Sequence, residues 1–120
     1  MAWTFTLGRP LAVQIAERLR GDILSGVYPA GVQFPTVRAL AEMASVNPNT
    51  VQRSLLMLEE EGLLLTKGTV GRFVTEDEEA LRRAREKEQQ DFVLSVLREA
   101  KNKHMECEQL IACIRKGWNR

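Results

Sequence analysis

Polar side chains that can hydrogen-bond to base edges and phosphates follow the dipeptide Asn47-Pro48. They are Asn49, Thr50, Gln52 and Arg53. Asparagine is a favoured helix N-cap and proline is favoured at the first helical position, so this polar cluster lies in the first turns of a predicted helix. A helix in the DNA major groove reads bases with side chains at this end, and its free backbone N–H groups bind phosphate. An ordinary solvated helix start has the same pattern, and Asn47 is better explained as a cap than as a base contact.

Basic side chains occur at two further places along the chain. Arg38 lies in a short helix predicted to follow Thr36, which can cap it. Lys67 and Arg72 flank a glycine-containing segment typical of a tight β-hairpin tip, which includes Gly71. Such cations commonly contact phosphates or the minor groove, although they also keep an exposed hairpin soluble. We predict a nucleic-acid interface formed by the polar cluster together with Arg38, Asn47, Lys67, Gly71 and Arg72.

Three helices and a hairpin are predicted to position these side chains. The first helix is expected to begin at Pro10, with apolar residues recurring every four positions, and to end at Gly26. The second follows Thr36, and the third follows Asn47 and is closed by Gly62. Two short strands are expected at 63–66 and 72–75. This order predicts a winged helix-turn-helix domain over residues 1–75.

The remaining residues, 76–120, are predicted to form a helical dimerisation region. A first helix over 76–101 is polar in its first half and has an apolar face in its second half, and a shorter helix follows at 106–116. Two helices of this size bury little against each other, so we expect a second subunit to cover the apolar face, although packing within one subunit is the alternative. The predicted interface residues are Phe92, Val93, Val96, Leu97, Leu110, Ile111 and Ile114.

Other kinds of chemistry have little support in the sequence. His104 and Cys107 could share a helix face, but a third metal ligand is not evident, so no metal or other cofactor is predicted. Cys107 and Cys113 are expected to be reduced structural thiols. No catalytic constellation, long apolar run or secretory signal is recognisable, which predicts a cytoplasmic protein that is not an enzyme and does not enter membranes. The net charge of +1 neither supports nor excludes DNA binding.

The sequence resembles the GntR family of bacterial regulators over about residues 9–75. The resemblance rests on Pro29-Ala30-Gly31, on Phe34-Pro35-Thr36-Val37-Arg38-Ala39-Leu40-Ala41, on Val46-Asn47-Pro48-Asn49-Thr50-Val51-Gln52-Arg53, on Leu58-Glu59-Glu60-Glu61-Gly62-Leu63 and on Gly71-Arg72-Phe73-Val74. The sequence departs from the family pattern at Ala12, Gln52, Leu55, Thr69 and Arg72.

The Val-Asn-Pro-Asn-Thr-Val form and the short tail are similar to the YtrA subfamily. This resemblance implies dimerisation through two C-terminal helices, no large effector domain, and regulation of transporter genes. It also implies that Arg38 contacts DNA from the second helix, that Asn47, Asn49, Thr50 and Gln52 do so from the third, and that Gly71 is the wing glycine.

Together these observations predict a mostly α (α+β) protein, with a winged helix-turn-helix domain followed by a two-helix dimerisation tail. The expected function is a DNA-binding repressor that acts as a homodimer on a palindromic operator in double-stranded DNA. The alternative is a winged-helix module that docks another protein and does not bind DNA. A small-molecule effector, the operator sequence and the regulated genes stay open.

Overall fold

A computed structural model of the chain describes residues 3–120 and confirms the predicted fold class. The elements are α1 (Leu11–Leu24), α2 (Val37–Ala44), α3 (Pro48–Glu60), β1 (Leu64–Lys67), β2 (Gly71–Val74), α4 (Glu78–Asn102) and α5 (Cys107–Trp118). Residue contacts divide the chain into two units, of which the first extends to Ala84 and the second begins at Arg85. The division into a DNA-binding domain at 1–75 and a dimerisation region at 76–120 stays a prediction.

Several predicted element boundaries differ from the structure by one or two residues. Pro10 is the N-cap of α1 and not its first helical residue. Both strands lie one residue away from their predicted positions, since β1 begins at Leu64 and β2 begins at Gly71. These differences arise because hydrogen-bond register, and not residue type, decides where a short strand begins.

The core of the first unit is formed by one face of each of its helices together with the hairpin. Its fully buried side chains are Ile15, Leu19, Leu40, Val51, Ser54, Leu55, Leu58, Leu63, Leu64 and Val74. The four-residue spacing in α1 places its apolar stripe against α3. Leu81, from the first turns of α4, also joins this core and is 4% exposed. These contacts fix α3 while leaving its other face to solvent.

The hairpin is antiparallel and receives a third segment of chain. Residues 31–34 pair with β2, because Phe34 N–H donates to the Arg72 carbonyl (2.7 Å) and Val74 N–H donates to the Val32 carbonyl (2.9 Å). Gly71 has a φ of +133°, and a Cβ built there would lie 3.1 Å from Gln33 Nε2. The glycine therefore permits both the turn and the close approach of this segment to the hairpin.

The second unit contains the rest of α4 and all of α5. Glu106 caps α5 through a capping box with Gln109, and Met105 N–H donates to the Ala100 carbonyl at 3.0 Å. The two helices enclose an open apolar groove. It is lined by Gln89, Phe92, Val93, Val96, Leu97, Leu110, Cys113, Ile114, Gly117 and Trp118. Six of the seven predicted interface residues line this groove; the seventh, Ile111, is half-buried and is not among the lining residues.

Candidate nucleic-acid interface

The N-terminal end of α3 presents the polar cluster that the sequence indicated. Asn47 Oδ1 accepts a hydrogen bond from Asn49 N–H at 2.8 Å, so this side chain caps the helix. Asn49 and Arg53 are exposed, whereas Thr50 and Gln52 are half-buried. The start of α3 therefore offers the exposed amide of Asn49 and the exposed guanidinium of Arg53, groups that can bind base edges and phosphates.

A buried hydroxyl fixes α3 against α1. Ser54 Oγ donates to the Ala12 carbonyl at 2.7 Å and lies within 3.1 Å of the Thr50 carbonyl. Ser54 is fully buried, and Val51 and Leu55 are buried beside it. Because this face of α3 is held by packing and a hydrogen bond, the orientation of the opposite, polar face is set by the core.

Arg38 lies beside the cap of α3. It is an exposed residue in the first turn of α2 and shares a shallow cleft with Glu42, Ser45 and Asn47. The cleft brings together two predicted contact residues, Arg38 and Asn47, from consecutive helices. Ser45 adopts the left-handed conformation (φ +57°) that ends α2 and reverses the chain towards α3.

The wing, which we define as residues 64–74, has an uncharged tip. Gln33 Nε2 donates to the Val70 carbonyl at 2.9 Å, which ties the tip to the preceding segment. The Val70 side chain is 65% exposed. The Lys67 ammonium lies 4.8 Å from the centroid of the Phe73 ring, a cation–π contact along the sheet. The tip of the wing therefore exposes the apolar side chain of Val70.

Arg72 has an acidic partner on α3. Its Nε donates to Glu59 Oε1 at 2.5 Å, and the Thr66 hydroxyl donates to the same oxygen at 2.7 Å. The Thr66 hydrogen bond, and then the Arg72 guanidinium, hold the pKa of Glu59 below its usual value although partial burial opposes them. The predicted contact between Arg72 and DNA stays a prediction, but its guanidinium is already engaged within the protein.

Sequence reasoning missed the residues that support the interface. Gln33, Ser54 and Glu59 each hold an element in place. Gln33 and Ser54 lie outside the motifs quoted above, and Glu59 lies in one of them without a role being assigned to it. Glu59 belongs to an acidic run that resembles a solvated helix face, and only the pairing of Thr66 with Arg72 across the hairpin shows its role. A serine in the apolar stripe of α3 was the one available signal for Ser54.

The remaining candidate sites show no arrangement for chemistry. Cys107 and Cys113 are exposed free thiols, and His104 is exposed in a left-handed turn (φ +60°). Within residues 3–120 no three His, Cys, Asp or Glu side chains are grouped to hold a metal ion. No helix of that same range is long and apolar enough to cross a membrane.

Comparison with known proteins decides the family. Residues 11–74, the winged region just described, match the family model for "Bacterial regulatory proteins, gntR family". The chain belongs to the GntR family. It is a transcription regulator with a DNA-binding helix-turn-helix, and the family is not one of enzymes.

Individual GntR relatives agree with this assignment. The chain is 34% identical over 68 residues to the HTH-type transcriptional repressor YtrA of Bacillus subtilis, covering 57% of this chain and 52% of YtrA. The chain therefore spans about half the length of YtrA. A GntR-family regulator from Listeria monocytogenes superimposes with a TM-score of 0.86 at 28% identity, over 93% of this chain and 98% of that one. The superposition therefore includes residues beyond the winged region, in the helical tail.

The structures similar to this chain include complexes with operator DNA. The AraR DNA-binding domain in complex with operator ORE1 has a TM-score of 0.55 at 25% identity, over 61% of this chain and 94% of that domain.

Proposed function

We propose that this GntR protein represses transcription by binding a palindromic operator as a homodimer. The observation that carries the proposal is the exposed polar start of α3 beside Arg38, on a core that fixes its direction. Asn49, Gln52 and Arg53 would read or contact DNA, with Arg38 binding phosphate. Thr50 and Gln52 are both half-buried, and the shorter Thr50 side chain would contribute less than Gln52, whereas Asn47 acts first as the cap.

The apolar groove of the second unit supports the dimer. Phe92 is 66% exposed and Trp118 is 79% exposed, on opposite walls of a groove with an almost entirely apolar lining. Side chains of this size are enriched at subunit interfaces, and leaving them in water is unfavourable. A dimer with two-fold symmetry would place two copies of α3 on two half-sites about one helical turn apart. The proposal includes a cytoplasmic location. It also includes regulation of transporter genes, which the resemblance to the YtrA subfamily implies.

Fluorescence anisotropy tests DNA binding directly. The purified protein is titrated into the duplex that lies upstream of its own gene and into a scrambled duplex, each at several salt concentrations. The proposal expects tight, selective and salt-sensitive binding with two subunits per duplex. No binding to either duplex at low salt would contradict it and would favour a protein-docking module.

A matched pair of variants tests the contact face. Arg38→Ala and Arg98→Ala each remove one exposed arginine, but Arg98 belongs to the second unit and is not among the residues proposed to contact DNA. Arg38→Ala should weaken binding to both duplexes and reduce the slope of log K against log salt by about 1.8, the value for one phosphate contact from each of two subunits. Arg98→Ala should leave the slope unchanged. Equal effects of the two substitutions would remove Arg38 from the interface.

A further inference from the structure

Glu59 connects the recognition helix to both strands of the wing. It lies in the last turn of α3, and a single oxygen, Oε1, accepts from Thr66 Oγ1 and from Arg72 Nε. Thr66 and Arg72 face each other directly across the hairpin. One carboxylate therefore ties α3 to β1 and β2 at the same rung of the sheet.

This arrangement changes the charge that the wing presents. The Arg72 and Glu59 side chains are only 19% and 24% exposed, and their opposite charges compensate each other at a separation of 2.5 Å. The tip beyond them, residues 68–70, contains no charged residue. An arginine held in this way has little net charge to offer a phosphate, although its position in the sequence would predict a phosphate contact.

We propose that Glu59 is a positioning residue of the DNA interface, which withholds the Arg72 charge from DNA phosphates so that the wing approaches DNA through its uncharged tip. The proposal rests on the proposed function, since it concerns the same interface. Phosphate contacts strengthen binding to every sequence alike. By removing one such contact from each subunit, Glu59 lowers affinity for operator and non-operator DNA alike, and the ratio between the two is left to the base contacts of α3.

Glu59→Gln tests whether the charge of Arg72 is withheld. Without the carboxylate, Arg72 is free to bind a phosphate, and with two subunits per duplex the slope of log K against log salt should become steeper by about 1.8, or about 0.9 for each subunit, for both operator and scrambled duplexes. Glu60→Gln is the matched control, because it makes the same change in net charge at the adjacent exposed position. It should leave the slope unchanged. A Glu59→Gln slope equal to that of Glu60→Gln would overturn the proposal.

A double variant provides an independent test that keeps net charge constant. Glu59→Gln combined with Arg72→Gln replaces the ion pair by two amides that can still hydrogen-bond, and circular dichroism verifies that the protein is folded. The proposal expects the native salt slope, because the pair contributes no phosphate contact in the native protein. A slope shallower by about 1.8, or about 0.9 for each of the two subunits, would show that Arg72 does bind phosphate and would overturn it. Comparing the salt slope of the double variant with that of the native protein tests the proposal even if Glu59→Gln alone does not fold.

The same titrations separate the two proposals. Absence of DNA binding by the unmodified protein would refute the proposed function and the role of Glu59 with it. Selective binding by the unmodified protein, with no distinctive change in Glu59→Gln, would refute the role of Glu59 alone.

Discussion

Replacing Phe92 by alanine should dissociate the proposed dimer. Phe92 is 66% exposed in the single chain, so about 130 of the roughly 200 Å² of a phenylalanine is available for burial by a partner. At about 25 cal/mol per Å², that surface corresponds to about 3 kcal/mol for each subunit and about 6 kcal/mol for both copies in a dimer. Alanine retains about a third of this surface, so the expected loss is about 4 kcal/mol, or roughly a thousandfold increase in the dimer Kd.

Sedimentation equilibrium over a wide range of protein concentrations measures this change. The matched control is Leu94→Ala, because Leu94 is 56% exposed on the same helix but does not line the apolar groove. Both residues are largely exposed in the single chain, so neither substitution should unfold it, and circular dichroism checks this. The control should dimerise as the native protein does.

Three results would refute this reasoning. A Phe92→Ala dimer as tight as the native one would show that the groove is not the interface. An equal loss in Phe92→Ala and Leu94→Ala would show that burial of apolar surface is not confined to the groove. A native protein that stays monomeric at all concentrations would remove the dimer from the proposed function.

Three further predictions concern the winged region. Ser54→Ala should lower the free energy of unfolding by about 1 kcal/mol in urea titrations, because the Ala12 carbonyl loses a buried donor; an unchanged midpoint would mean that the hydrogen bond contributes nothing net. Asn47→Ala should cost about 1 kcal/mol of stability through loss of the cap on Asn49 N–H, whereas Asn47→Asp should retain the cap yet weaken DNA binding by adding negative charge at the interface. Equal DNA affinity of Asn47→Asp and the native protein would place this residue away from the phosphates. Because the pKa of Glu59 is lowered in the folded state, its stabilising effect is complete above the usual carboxyl pKa and is lost as pH falls through the lowered value. The stability difference between the native protein and Glu59→Gln, measured by urea unfolding, should therefore be larger at pH 7 than at pH 3, and a difference independent of pH would contradict the assignment.

Local sequence signals were sufficient to predict the elements and one face of the candidate site. Helix caps and apolar spacing act over four or five residues, so Thr36 and Asn47 marked the starts of α2 and α3 correctly. The polar start of α3 follows from the same signals, because the buried positions of a helix leave only one face for solvent. The order of helices and hairpin then predicted the winged fold, which the family match confirmed.

Contacts between residues distant in sequence were decided only by the tertiary structure. Leu81 lies beyond the domain boundary predicted at residue 75, yet it packs into the core of the first unit, since the direction of α4 brings it there. Arg72 and Glu59 are thirteen residues apart, and their pairing depends on the register of the hairpin and on where α3 ends. A one-residue shift in that register would point Arg72 to the other face of the sheet. Residue types and spacing thus determined which elements form and which side chains carry charge. The packing of α3 against the hairpin determined that Arg72 faces a carboxylate, because an ion pair requires two elements to meet.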